Sequence, residues 1–69
     1  MLKPKPPAPE WCRYLYQATY VDSEWVVVLE SESEAKRALL VMSMRAGGVA
    51  LHASPLPDHP HHWYVGEVS

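Results

Sequence analysis

The chain has one cysteine, three glycines and no phenylalanine among its 69 residues. A lone Cys12 excludes an internal disulfide. Without phenylalanine, any aromatic contribution to a core must come from the three tryptophans and four tyrosines. Gly47, Gly48 and Gly66 are too few and wrongly placed for a phosphate-cradling loop or a dinucleotide-binding turn. Positive charge is also short: six Lys and Arg against eight Asp and Glu give a net charge of −2. A general polyanion binder is usually strongly basic, so direct nucleic-acid binding is not expected. No apolar run reaches the roughly 18 residues that span a bilayer, and "MLKPKPPAP" is not the apolar core of a secretory signal. A cytoplasmic protein that does not enter a membrane is the expectation.

The remaining composition, 48% hydrophobic and 20% charged, is that of a folded chain. At this size a hydrophobic core is thin, and stability often needs a disulfide, a metal or a second subunit. With the disulfide excluded, metal, self-association or very good packing remain.

Residues 1–10 read as a flexible proline-rich arm: prolines at 4, 6, 7 and 9 remove amide donors and favour an extended polyproline II path. The arm carries PxxP spacing twice, a pattern that proline-reading partners bind. Residues 11–69 read as one α+β domain. "WCRYLYQATYV" alternates, with Cys12, Tyr14, Tyr16, Ala18 and Tyr20 on an inner face and Trp11, Arg13, Leu15, Gln17 and Thr19 on the outer. With "WVVVLE" it predicts an antiparallel hairpin of Trp11–Val21 and Glu24–Glu30. "SESEAKRALLVMSMRAGG" predicts a helix, with Ser31 and Glu34 as a capping box and Gly47 or Gly48 at a left-handed end. "VALHAS" predicts a third strand, "PLPDHP" a loop and "HHWYVGEV" a fourth strand. The order is β-β-α-β-β, one helix packed on an antiparallel sheet.

At about 100° per residue, Ala35, Ala38, Leu39, Met42 and Ala46 form the core stripe of the helix. Leu40 and Met44 project nearly opposite, beside Lys36 and Arg37. Either the stripe is rotated, or the last strand wraps farther round to cover them, or they contact a second copy or another protein; a homodimer would then supply the missing stabilisation. A further candidate surface is the acidic block Asp22, Glu24, Glu30, Glu32 and Glu34, which could dock on a basic groove of a nucleic-acid-handling protein.

The polar residues that invite chemistry are Asp58, His59, His61 and His62, with His52 expected to return beside them. Imidazoles and a carboxylate ligate zinc, nickel or copper, but adjacent strand residues point to opposite faces, so His61 and His62 do not easily share an ion. No cofactor is expected. No nucleophile elbow or Cys/His signature surrounds Cys12 or the serines, and an enzyme is not expected.

A compact acidic chain with a hairpin, the capped helix "SESEAKRALL" and further strands resembles, in the layout of residues 11 to 68, the small phage-encoded inhibitors of bacterial defence, anti-CRISPR proteins among them. The resemblance implies stoichiometric occlusion of a large target, through the Leu40/Met44 face, the acidic block or the histidine loop. The sequence thus predicts a self-associating, non-catalytic protein-binding module. Its alternatives are a metal- or ligand-responsive protein using the histidine loop and an accessory subunit of a larger assembly.

Overall fold

The computed structural model describes residues 4–12 and 16–68. A short 3-10 helix, η1 (Glu10–Cys12), precedes β1 (Ala18–Val21), β2 (Glu24–Leu29), α1 (Glu32–Arg45), β3 (Leu51–Leu56) and β4 (His59–Glu67). The four strands form one sheet in the order β1-β2-β4-β3, every neighbouring pair antiparallel. The expected β-β-α-β-β order is therefore the observed one.

Local chemistry accounts for the helix ends. The Ser31 hydroxyl accepts from the Glu34 amide at 3.2 Å, satisfying one of the donors that a helix start leaves unpaired. After Ala46 the chain turns at Gly47 and Gly48 with φ of +63° and +102°, which glycine adopts without steric penalty. Acids at the start and Arg45 at the end match the helix dipole.

One face of the sheet packs on the helix. Ala35 and Ala38 are fully buried, and their small side chains let α1 approach Val27, Leu29 and Val65 closely, with Met42 filling the space beyond. Ala18, Trp25, Leu51, Ala53 and Trp63 surround this centre.

The structure corrects the long first strand. Trp11, expected on an outer face, is 4% exposed, and it sits with Cys12 in η1 inside the core cluster. A 3-10 turn places successive residues on neighbouring sides, so both Trp11 and Cys12 face inward where a strand would split them. The turn closes with the Cys12 amide donating to the Pro9 carbonyl at 3.2 Å. Arg13, Tyr14 and Leu15, which the long strand was to include, lie outside the described residues, and the strand begins at Ala18.

The "PLPDHP" loop is shorter than expected. Pro55 and Leu56 belong to β3, the turn is Pro57–Asp58, and β4 begins at His59. Proline is tolerated because β3 is an edge strand. The ladder slips between Pro55 and Leu56, pairing Pro55 with Trp63 and then Leu56 with His59, so Pro60, His61 and His62 bulge from the regular pairing.

At the β1–β2 turn Asp22 and Ser23 both have positive φ, 50° and 66°. Two consecutive left-handed residues are what a two-residue hairpin needs to match strand twist, and glycine is favoured at the second position. Ser23→Gly is expected to raise stability by about 0.5 to 1 kcal/mol, read as a higher urea midpoint with an unchanged slope. A lower midpoint would mean that the serine side chain supports the turn.

Candidate functional site

Helix α1 carries the first candidate surface on the side away from the sheet. Leu40 is 70% exposed and Met44 86%, one turn apart, while Met42 between them is 1% exposed. The helix is thus not rotated to hide them, and no strand among the described residues wraps round to cover them. Lys36 lies one turn before Leu40 and pairs with Glu32 at 3.1 Å in an exposed i,i+4 contact, of the kind that contributes only a few tenths of a kcal/mol. Arg37 lines a cleft with Glu30, Glu34, Tyr16, Val28 and Leu29 where the end of β2 meets the helix start.

The acidic block does not form one patch. Asp22 and Glu24 stand at the β1–β2 turn, whereas Glu30, Glu32 and Glu34 stand beyond the other end of β2. At about 3.3 Å per residue, Glu24 and Glu30 are roughly 20 Å apart. A run of acids in sequence reads as a patch only if the chain turns back between them, and here it is a straight strand.

Nor does the histidine group converge. His52 lies in β3, its ring edge-on to Tyr64 at 5.5 Å and its Nδ1 2.9 Å from the Ser54 hydroxyl. It is paired with Gly66, toward the opposite end of the β3–β4 hairpin from His59, His61 and His62. His59 and His62 come together across the bulge, ring centroids 6.0 Å apart, with both rings exposed; Asp58 occupies the turn and His61 is exposed beside them. Among the described residues, no three His, Cys, Asp or Glu side chains are grouped as a metal site requires.

Sequence reasoning missed the second apolar surface, the sheet face turned away from the helix. By strand alternation it carries Thr19, Val21, Glu24, Val26, Val28, His52, Ser54 and Tyr64. Val21 and Val28 are 46% and 41% exposed, and with Val26, Leu56, Pro57 and Tyr64 they line a shallow groove bounded by Asp22 and Glu24. Val26 is buried even on this open side, and Gly66 stands opposite it: a Cβ there would lie 3.3 Å from Val26 Cγ1 and 3.7 Å from Tyr64 Cε2. The Tyr64 ring thus leans into space that the glycine leaves. The unbroken Val26–Val27–Val28 run was the available signal, since a strand bathed on one face normally alternates.

A third surface joins the arm to the sheet. The Trp25 indole donates to the Pro6 carbonyl at 3.1 Å, Lys5 Nζ lies 5.5 Å from the centroid of the Trp25 ring, and Tyr20 meets the same indole at 5.3 Å with a 57° tilt. Arm residues 4–9 have neither helix nor strand, and Glu10 opens η1.

No helix among the described residues is long and apolar enough to cross a membrane. No protein-family model matches the chain, and no curated protein and no solved structure matches it.

Proposed function

We propose that the chain is a non-catalytic protein-binding module that self-associates through the outer face of α1. The observation that carries this reading is the pair Leu40 and Met44, two large apolar side chains left in water on a domain whose own core is small. Burying them contributes about 1.5 to 3 kcal/mol each, a large share of the stability of a chain this short. The helix is also self-complementary. Two copies related by a two-fold axis near Leu40 run their helices antiparallel, which brings the acidic first turn, Glu32 and Glu34, toward Arg45 of the other copy. Lys36 and Arg37 flank the apolar pair, and their stems extend it while their charges stay wet.

Action by surface occlusion, which the resemblance to phage-encoded inhibitors implies, agrees with this reading. The separation of the acids removes the support for docking on a basic groove, and the dispersed histidines give none to a metal-responsive protein. A second reading, an accessory subunit of a larger assembly, is favoured by the open valine-lined sheet face, which lies on the opposite side of the sheet from the helix and which helix pairing leaves bare.

Leu40→Asp tests the first reading. The wild-type chain is expected to sediment as a dimer at micromolar to millimolar concentration, with a melting temperature that rises with concentration. The variant is expected to sediment as a monomer and to lose that concentration dependence. A wild-type monomer over the whole range, or a variant that remains dimeric, would overturn self-association through this face.

A further inference from the structure

We propose that Tyr20 and Trp25, with Glu67 beside them, form a proline-reading slot, and that the N-terminal arm is a tethered occupant which a proline-rich, lysine-bearing segment of another protein displaces. This rests on residues distinct from the helix face, so Leu40→Asp leaves it untouched.

The slot has the parts that polyproline II recognition requires. Such a segment has no internal hydrogen bonds, so its carbonyls are free acceptors, and its rings lie well against aromatic side chains. Here Tyr20 and Trp25 are cross-strand neighbours at the β1–β2 turn, which fixes their rings 5.3 Å apart. The Trp25 indole supplies the donor, and the Pro6 carbonyl takes it at 3.1 Å. Pro6 itself, Ser23, Glu24, Glu67 and Val68 complete the lining. The Glu67 carboxylate, on the same sheet face as Trp25, gives the slot a negative rim and therefore a preference for a basic residue next to the prolines. The arm meets that preference with Lys5, held over the indole by cation–π attraction.

The arm is held lightly. Pro4, Lys5, Pro6 and Pro7 are exposed, and the arm is anchored below them, where Ala8 packs against the core and η1 is buried within it. Release of residues 4–7 therefore exposes the slot without disturbing the fold. A tethered segment competes at an effective concentration in the millimolar range, so a partner must match the same chemistry with more contacts or a longer proline run.

The probe is the synthetic peptide KPKPPAP, with a control in which every proline is alanine, titrated into the ¹⁵N-labelled full chain. The expected result is a saturable shift of the Trp25 indole N–H signal by the proline peptide and none by the control. Lys5→Glu sets the arm against Glu67 and frees the slot, and it is expected to tighten peptide binding about tenfold, the release of a tethered competitor. Trp25→Phe keeps a ring and removes the donor, and it is expected to abolish saturable binding, read on the backbone amide signals of Tyr20 and Glu67. Glu67→Lys, an exposed change that leaves the aromatic pair in place, is expected to weaken binding several-fold, and it keeps the test open should the aromatic substitution disturb folding. An unmoved indole signal in both the wild type and Lys5→Glu would overturn the proposal, as would equal binding of the alanine peptide. So would an indole signal that shifts with the chain's own concentration but not with peptide, since the occupant would then be the arm of a second copy.

Discussion

Met42→Ala is expected to leave a substantial fraction of the chain unfolded at room temperature. Met42 is the largest fully buried side chain in the core, 1% exposed, and it fills the space between the helix and the sheet beyond Ala35 and Ala38. Its truncation removes buried methylenes and leaves a cavity that backbone on both sides holds open, a loss of about 2 to 5 kcal/mol for Met to Ala. At about 0.05 to 0.15 kcal/mol per residue, a chain of this length has a total margin of about 3 to 10 kcal/mol. The two ranges overlap. Met44→Ala, two positions along the same helix, is the internal control, because Met44 is 86% exposed and its removal is expected to change protomer stability by less than about 0.5 kcal/mol. Urea denaturation of both variants at a concentration low enough to keep the chains apart checks the contrast. Equal losses would mean that the helix presents a different face to the sheet.

Trp11→Ala is expected to be as damaging, and Trp11→Phe much less so. The indole is 4% exposed within the core cluster, and large aromatic truncations cost about 3 to 5 kcal/mol. Its Nε1 is buried with no hydrogen-bond partner among the described residues, and a buried donor left unpaired costs about 1 to 3 kcal/mol. Phenylalanine loses part of the packing but also removes that donor, so the two changes offset. Thermal unfolding followed by far-ultraviolet circular dichroism separates the outcomes. A neutral Trp11→Ala would show that η1 is an attachment on the domain and no part of its core.

These two methionines and this tryptophan also show what the sequence made legible. The helix was readable because its signals are local: Ser31 three residues before Glu34, two glycines after the last turn, and a stripe at 3.6-residue spacing that separates Met42 from Met44. Trp11 was not. "WCRYLYQATYV" alternates well enough to look like one strand, and only the contact with a helix more than twenty residues later draws Trp11 and Cys12 inward together. The histidines failed for a related reason. Asp58, His59, His61 and His62 are close in sequence, but β3 runs away from the turn and carries His52 with it. Strand order was likewise beyond reach, because nothing within β4 states that it lies between β2 and β3. The meeting of Pro6 with Trp25 is a contact between distant segments, for which the proline spacing gave half the signal and no hint of the donor.

The order β1-β2-β4-β3 has a kinetic consequence. Two of the three ladders join strands separated only by tight turns, and such pairs close in microseconds; the third, β2 with β4, joins segments on either side of the helix. Most of the loop-closure entropy of the sheet therefore falls on one event, the zipping of Val26–Leu29 against Trp63–Gly66. Side chains on that seam set how fast the chain folds, whereas those confined to the outer strands set mainly how fast it comes apart.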